Sequence, residues 1–404
     1  MTTPSSPLTP LTPVLHLLNG EVYSGLERVV DHLADAAPAS GFNLLLAFLK
    51  PDTMRARMSS TRAAVHEMPM RSRFDLGVAR AAAVLATDSG CRLLHSHTVR
   101  SALVARRVQR LTGLPWVHHV HSPALRESAR RGMNLANYLA EATVMRHADW
   151  VVTVSRGLAD YVLRHYRVSP DRITVVPNGV EAPRAAPRRS SPDGRADKLA
   201  DGASCPVRQP DRGCIVLSVG LFRDRKGIEH LVDAAALLRD AGHHFRLRLA
   251  GEFADPGYEA AIRRRVRALG LLEHIEFLGF VRDVAQALDD CDVFTLPSLY
   301  GEGMPMAVLE AMAHERPVVA SDIDGIRELL EGGAGLLVPP ASAQHLADAL
   351  GRLVTDPHLR ARLACSGRER QRQRHSLEAV GLQIFDGYRR LLGAAGAFRR
   401  RKTP

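Results

Sequence analysis

Long apolar runs, leader features and paired cysteines are all missing from this sequence of 404 residues. No stretch of about 18 apolar residues occurs, and the start, "MTTPSSPLTPLTP", lacks the basic and apolar regions of a secretory leader. Both absences predict a cytoplasmic protein without a membrane span. The cysteines are odd in number and contain no C-x-x-C pair, which predicts reduced thiols and no zinc or redox site. They are Cys91, Cys205, Cys214, Cys291 and Cys365.

Two common nucleotide-binding motifs are also absent. The first strand-to-helix loop, "NGEVYSG", holds Gly20 and Gly25 but does not spell G-x-G-x-x-G, and the later "SVGLFRDRKG" does not match it either. The sequence therefore gives little support to the hypothesis of a nicotinamide-dependent dehydrogenase. No Walker A sequence occurs, which also disfavours a P-loop nucleotide hydrolase.

The net charge and the length of the chain indicate its partners and its number of domains. With 54 basic and 43 acidic side chains its formal charge is +11, which favours anionic partners such as phosphorylated substrates, lipid headgroups or nucleic acid. Only 5% of the residues are aromatic, so the interleaved aromatics of a nucleic-acid binder are lacking. A chain of this length predicts two domains.

Short apolar runs alternate with amphipathic segments along both halves, from "PVLHLLNG" to "RITVVPNG" and again from "CIVLSVG" to "GLLVPP". This alternation predicts α/β architecture with two doubly wound parallel sheets. The stretch rich in Pro, Arg, Asp, Gly and Ser between them predicts an exposed linker without regular structure. The predicted divisions are a first domain over 1–182, a linker over 183–213, a second domain over 214–375, and a last helix with a basic tail over 376–404.

The stretch "GEGMPMAVLEAMA" places two glutamates, Glu302 and Glu310, around the start of a helix. Pro305 suits the first helical position, and Gly303 allows a ligand to approach the backbone closely. The helix N-terminus favours phosphate, whereas the carboxylates suit the hydroxyls of a sugar or ribose. A nucleotide sugar supplies both, although a solvated Glu310 on an ordinary amphipathic helix is the alternative.

The segment "SVGLFRDRKGIEHLV" combines a strand end, a basic loop and a helix start. Cations beside a helix N-terminus form a diphosphate clamp, and Lys226, directly before Gly227, is the best candidate. Arg225 is predicted to be solvated.

Histidines end two predicted strands of the first half. In "PWVHHVHS", strand alternation puts His119 and His121 on the face opposite His118. His121, the last of the strand, is predicted to face the cleft, where a neutral imidazole could bond a sugar hydroxyl. No carboxylates or thiols that could complete a metal site are clustered with His121. His95 and His97 of "LLHSHT" fit a structural role at least as well.

Together these segments resemble the retaining glycosyltransferases of family 4. The donor-domain signals are "SVGLFRDRKG", "GFV", "DVFTLPSLYGEGMPMAVLEAMAHERPVVAS" and "GLLVPP", and "VVTVSRGLADYV" and "ITVVPNGVE" match the end of the first domain. The resemblance implies a GT-B fold, in which two Rossmann-like domains face across a cleft and the last helix crosses back. It also implies a hexosyltransferase that needs no cofactor and no metal.

At the nucleotide end, the resemblance implies that Lys226 and Arg223 hold the donor diphosphate and that Glu310 holds the ribose hydroxyls. It also implies that Phe280 and Val281 border the nucleobase. The family usually has arginine directly after the strand-ending glycine, where this chain has Leu221. Arg223 is therefore assigned its role by proximity alone.

At the sugar end, the resemblance implies that Glu302 and the backbone of Gly303 and Met304 hold the transferred sugar. Gly25 would approach the diphosphate from the first domain, and His121 matches the histidine beside the reacting sugar. The acceptor attacks from the face of the leaving group, so Glu302 need not be a nucleophile, and a covalent route stays open.

The predicted function is transfer of a sugar from a nucleoside diphosphate donor to a glycan or lipid-linked glycan, in bacterial polysaccharide synthesis. Two alternatives remain: a GT-B transferase with a small soluble acceptor, and a non-catalytic scaffold that binds nucleotide sugars. The basic segments 100–110 and 399–402 also predict salt-sensitive, peripheral contact with the inner face of an anionic membrane, with a solvated surface as the alternative.

Overall fold

The computed structural model describes residues 10–20, 25–50, 60–72, 77–126, 131–181, 196–198, 204–206 and 213–400, together with Arg55, Met58, Asp75 and Pro183. Two parallel sheets dominate it, one in each half of the chain, with helices packed on them. Both face a common cleft, which is the predicted GT-B arrangement.

The first domain is a seven-stranded parallel sheet in the order β3-β2-β1-β4-β5-β6-β7. The strands are β1 (Thr12–Leu18), β2 (Phe42–Phe48), β3 (Ala64–Glu67), β4 (Leu93–Ser96), β5 (Trp116–Val120), β6 (Trp150–Thr153) and β7 (Ile173–Val175). The helices are α1 (Gly25–Ala36), α2 (Val78–Asp88), α3 (Val99–Thr112), α4 (Arg131–Met145) and α5 (Arg156–His165).

The described residues of the linker include a small sheet that the sequence did not predict. β8 (Ala196–Lys198) and β9 (Ser204–Pro206) pair antiparallel as a separate two-stranded sheet. Their sequences, "ADK" and "SCP", lack the apolar run by which the other strands are recognised.

The second domain is a six-stranded parallel sheet in the order β12-β11-β10-β13-β14-β15. The strands are β10 (Cys214–Val219), β11 (Phe245–Ala250), β12 (Ile275–Gly279), β13 (Val293–Leu296), β14 (Val318–Ser321) and β15 (Leu336–Val338). The helices are α6 (Ile228–Asp240), α7 (Pro256–Ala268), α8 (Val284–Asp289), α9 (Met306–Ala313), α10 (Asp324–Leu330), α11 (Ala343–Thr355) and α12 (Pro357–Arg374).

The last helix, α13 (Leu377–Arg400), returns to the first domain. Phe385 stacks on Phe42 of β2 with ring centroids 5.5 Å apart, and Tyr388 is completely buried. Gly387 lets the helix approach Trp150 of β6, because a Cβ at this position would lie 2.0 Å from the indole ring. These contacts tie the end of the chain to the sheet that carries the histidines.

Cysteine chemistry differs in one place from the prediction. Cys91, Cys214 and Cys291 are buried free thiols, as expected. Cys365 is instead disulfide-bonded, which corrects the prediction that all five thiols are reduced. Spacing along the chain says little about which cysteines approach each other, since a disulfide depends on distance in the fold. Within the described residues, no helix is long and apolar enough to cross a bilayer.

Candidate active site

The cleft between the domains lies at the switch point of each sheet, where parallel strands diverge and ligands commonly bind. It encloses a cavity of about 850 Å³. All the predicted site residues except Glu310 line this cavity; they are Gly25, His121, Arg223, Lys226, Phe280, Val281, Glu302, Gly303 and Met304.

The basic loop after β10 is folded by a turn and a glycine. Asp224–Lys226 form one 3₁₀ turn, and Gly227 caps α6 with a positive φ of 64°. A Cβ at Gly227 would lie 2.4 Å from the carbonyl oxygen of Pro297, so only glycine fits. This packing holds Lys226 against the loop that follows β13.

Glu302 is the electrostatic centre of the cavity. Its Oε1 accepts hydrogen bonds from Lys226 Nζ at 2.5 Å, Arg225 Nη1 at 3.1 Å and Ser298 Oγ at 2.8 Å. Burial alone would raise the pKa of Glu302, but the two cations outweigh it and hold the pKa at about 2. Glu302 is therefore a carboxylate at neutral pH.

The two cations that bond Glu302, Lys226 and Arg225, are themselves largely buried. Burial lowers the pKa of Lys226, and Glu302 partly offsets that effect. Arg225 lines the cavity and bonds Glu302, with a side chain only 18% exposed. The prediction that Arg225 is solvated was wrong, because its partner lies 77 positions further along the chain. Arg223, by contrast, is exposed.

Glu310 lies in the second turn of α9, beneath the cavity surface. Its carboxylate forms an ion pair with Arg28 of α1, so the contact joins the two domains. Burial raises the pKa of Glu310, and Arg28 counteracts this. The only side chains of the α9 start that line the cavity itself are Met306 and Ala307, next to the capping Pro305.

The glycine loop before α9 is packed tightly against the first domain. A Cβ at Gly303 would lie 1.9 Å from the carbonyl oxygen of His121, so the two backbones touch across the cleft. Next to it, the amide of Asn178 donates from Nδ2 to the carbonyl oxygen of Met304 at 2.9 Å. The cleft is therefore closed around the sugar-binding end of the predicted site.

The histidines divide between the two faces of β5 as predicted. His118 lies between Ser96 and Glu141 on one face. On the other, the rings of His119 and His121 stack with centroids 4.1 Å apart, and His121 reaches the cavity. Burial lowers the pKa of His121 to about 3, so it is neutral at physiological pH.

The cavity residues that sequence reasoning missed include Arg28, Asn178 and Asn19. Asn19 and Asn178 each follow a predicted strand, in "LLNG" and "VVPNG", and that position was the available signal. Arg28 had no such signal beyond its place in the first turn of a helix that follows a glycine loop.

Two family models match the chain. Residues 23–184 match the model described as Glycosyltransferase Family 4, and residues 213–356 match Glycosyl transferases group 1.

Similar proteins include α-maltose-1-phosphate synthase of Mycolicibacterium smegmatis, 31% identical over 319 residues that cover 74% of this chain and 79% of the relative. The phosphatidyl-myo-inositol mannosyltransferase of Mycobacterium leprae is 38% identical over 183 residues, 44% of this chain and 47% of the relative.

Solved structures share the fold at lower identity. Sucrose-phosphate synthase from Thermosynechococcus elongatus superposes with a TM-score of 0.79 at 24% identity, covering 95% of this chain and 100% of that one. Anabaena HepE, solved with UDP and glucose, gives a TM-score of 0.78 at 19% identity, covering 93% and 99%.

Proposed function

Because the chain belongs to glycosyltransferase family 4 and is a glycosyltransferase, we propose that it is a retaining hexosyltransferase that uses a nucleoside diphosphate sugar. The proposed acceptor is a glycan or lipid-linked glycan in bacterial polysaccharide synthesis. The observation that carries the donor assignment is the buried cluster of Lys226, Arg225 and Glu302 beside the N-terminus of α9.

The donor diphosphate would lie between Lys226, Arg223 and the unpaired N–H groups at the start of α9. Lys226 would then exchange part of its contact with Glu302 for a phosphate oxygen. Glu302, freed on one side, could accept hydrogen bonds from hydroxyls of the transferred sugar. Glu310 would bind the ribose, and Phe280 and Val281 would border the base.

Catalysis would consist of positioning and of stabilising the leaving diphosphate. As the glycosidic bond breaks, negative charge develops on the diphosphate oxygen, and Lys226 and the α9 start oppose it. The acceptor hydroxyl attacks from the same face, and its proton passes to that oxygen. Because these groups provide the positive charge, we propose that transfer needs no metal, and that activity withstands chelation by EDTA.

A small phosphorylated acceptor is the second candidate. Relatives include α-maltose-1-phosphate synthase and D-inositol 3-phosphate glycosyltransferase, whose names contain small phosphorylated sugars or polyols. A cavity of about 220 Å³ on the first-domain side, lined by Arg100, Asn137 and His121, has room for such a molecule. Transfer assays with sugar phosphates and with lipid-linked glycans separate the two candidates.

The experiment that tests the donor site is saturation-transfer NMR against UDP-, GDP- and ADP-sugars, with UDP-glucose first because HepE was solved with it. Selective binding should be lost in Lys226→Ala and Glu310→Ala and retained in Glu369→Gln, an exposed site on α12. No binding of any nucleotide sugar by the folded wild type would refute the donor assignment.

We also propose peripheral contact with the inner face of the membrane. Arg107, Arg110 and Leu111 are exposed side by side on α3, whereas the tail from 401 onward lies outside the described residues. Flotation with vesicles containing anionic lipid should succeed at low salt, fail at high salt, and fail in the double variant Arg107→Glu and Arg110→Glu. Binding that persists in this variant would refute the assignment to α3.

A further inference from the structure

A row of histidines runs from the cavity into the core of the first domain, and only its outermost member, His121, has a proposed role. The parallel register places His16 of β1 beside His95 of β4, and His97 follows two positions later on the same face. His95 and His97 stack at 4.2 Å, and His119 stacks on His121. Except for His121, these rings are fully buried.

Hydrogen bonds join part of this row into one chain. His121 Nε2 lies 3.1 Å from His97 Nδ1, and His97 Nε2 lies 2.9 Å from His16 Nδ1. His16 Nε2 lies 3.2 Å from the hydroxyl of Tyr388 on α13, which also lies 2.5 Å from His95 Nδ1. The chain therefore starts at the cavity and ends beneath the last helix.

A metal site is a weaker interpretation of the same rings. Two triads, His16 with His95 and His97, and His97 with His119 and His121, have nitrogens within 4.8 Å of one another. A metal ion lies in the plane of each ligating ring. The stacked pairs are tilted by only 25° to 29°, so their lone pairs run nearly parallel instead of converging.

Each ring of the chain carries a single proton. Burial lowers the pKa of His16 to about 3, and it lowers the pKa of His95 and His97 well below the ordinary value. A neutral ring has one donor and one acceptor, and the buried hydroxyl of Tyr388 must donate to one of its two rings to pair its O–H, so the protons in the chain all point the same way. Either every ring is protonated on Nδ1, or every ring is protonated on Nε2.

His95 decides between these two arrangements. Its Nε2 is buried and finds no hydrogen-bond partner in the described part of the chain. Protonation there would bury an unpaired N–H, which proteins tolerate less often than an unpaired acceptor. His95 therefore carries its proton on Nδ1 and donates it to Tyr388, whose hydroxyl donates to His16.

We propose that this chain holds His121 in the tautomer protonated on Nδ1, with His97 as the immediate positioning residue. His97 donates to His121 Nε2, so the nitrogen outside the chain carries a proton. A free imidazole prefers the opposite tautomer, protonated on Nε2. The inference rests on the proposed function in one point: toward a sugar, His121 would act as a hydrogen-bond donor and not as a base.

Nitrogen-15 NMR of the full chain, labelled at histidine, tests this without substrate. His121 is assigned by the signals lost in His121→Asn. In the wild type, His121 Nδ1 should be protonated and Nε2 should not. In His97→Phe, which keeps an aromatic ring in the stack, the proton should move to Nε2. His118→Phe, on the opposite face of β5, should leave His121 unchanged.

Transfer kinetics add a second readout. His97→Phe should lower kcat about tenfold, the effect of one misdirected hydrogen bond, with donor KM unchanged. If His97→Phe does not fold, His97→Met makes the same prediction, since it too lacks a donor. A wild-type His121 protonated on Nε2, or a tautomer unaffected by either substitution, would overturn the proposal.

Two further outcomes separate the alternatives. If stoichiometric Zn²⁺ shifts the nitrogen-15 resonances of several of these histidines, the row is a metal site and the hydrogen-bonded chain is overturned. If the tautomer moves as expected but kcat stays at the wild-type value, the catalytic half of the inference is wrong. A wild type without transfer activity would count against the proposed function, while the NMR result would still decide the tautomer.

Discussion

The buried contact between Lys226 and Glu302 should stabilise the second domain as well as bind the donor. Lys226 and Arg225 hold the pKa of Glu302 at about 2 instead of 4.5, which at 1.36 kcal/mol per pH unit corresponds to about 3 kcal/mol favouring the folded carboxylate. Because its side chain is only 8% exposed, solvent screens little of this. Lys226 makes the largest attractive contribution, ahead of Arg225.

Lys226→Met should therefore destabilise the protein at pH 7 by about 2 kcal/mol, less than the 3–5 kcal/mol typical of a fully broken buried pair. The reason for the smaller effect is that Arg225 and Ser298 still bond Glu302. In a domain of this size the melting temperature should fall by about 4–8 °C. Differential scanning calorimetry measures this, because it resolves a transition confined to one domain.

The double variant Lys226→Met and Glu302→Gln provides the control. Without a charge on residue 302, most of the stability lost in Lys226→Met should return, since an unpaired buried carboxylate is the source of the loss. Arg223→Met, in the same loop but exposed, should melt within about 1 °C of the wild type. A Lys226→Met melting temperature equal to the wild type, or no recovery in the double variant, would refute this account of Glu302.

Three other perturbations have defined outcomes. Gly303→Ala should reduce transfer more than about 100-fold, because its methyl group would overlap the carbonyl of His121 and hold the cleft open. X-ray scattering should detect the wider form, and wild-type dimensions would contradict this prediction. As the pH falls from 6.5 to 5, the free energy of unfolding should fall by about 2 kcal/mol from His16 alone. The reason is that His16 takes up a proton in the unfolded state, whereas its pKa of about 3 in the folded state keeps it neutral. A flat profile of denaturation midpoint against pH would contradict this. Arg28→Met should weaken donor binding about tenfold, with a larger loss at lower pH, because burial raises the pKa of Glu310 and Arg28 no longer counteracts this rise; calorimetric titration at pH 6 and pH 8 measures this.

Strands buried on both faces were the part of the fold that sequence could predict. Several central strands are short, nearly continuous apolar runs, as in β1 and β10, and such runs have few other interpretations in an α/β chain. β3 was not predicted. It lies at the sheet edge and is half exposed, so its sequence "AVHE" does not contain the apolar run that marks a buried strand. α12 escaped because "RERQRQR" leaves too few apolar positions to show a helical period.

In the candidate site too, some residues could be predicted from local sequence and others could not. Local signals placed Lys226, Glu302 and Gly303, since a strand end, a glycine and a helix start lie together in the sequence. The partners of these residues could not be predicted, because each contact joins distant segments. Arg28 meets Glu310 only after the two domains have packed together. The histidine chain likewise depends on the register of neighbouring strands, which no local pattern reveals.

The contacts across the cleft explain how a closed site can still accept a donor. Both predicted sugar-binding carboxylates, Glu302 and Glu310, are buried, and each is neutralised by a cation of the protein itself. An unpaired carboxylate in this position would cost several kcal/mol, so without a donor the cations must stay close. In the proposed function a donor would bring phosphates for Lys226 and hydroxyls for the carboxylates, so binding would exchange one set of polar contacts for another. If the proposed donor site is correct, opening of the cleft at the backbone contact between Gly303 and His121 would admit the donor.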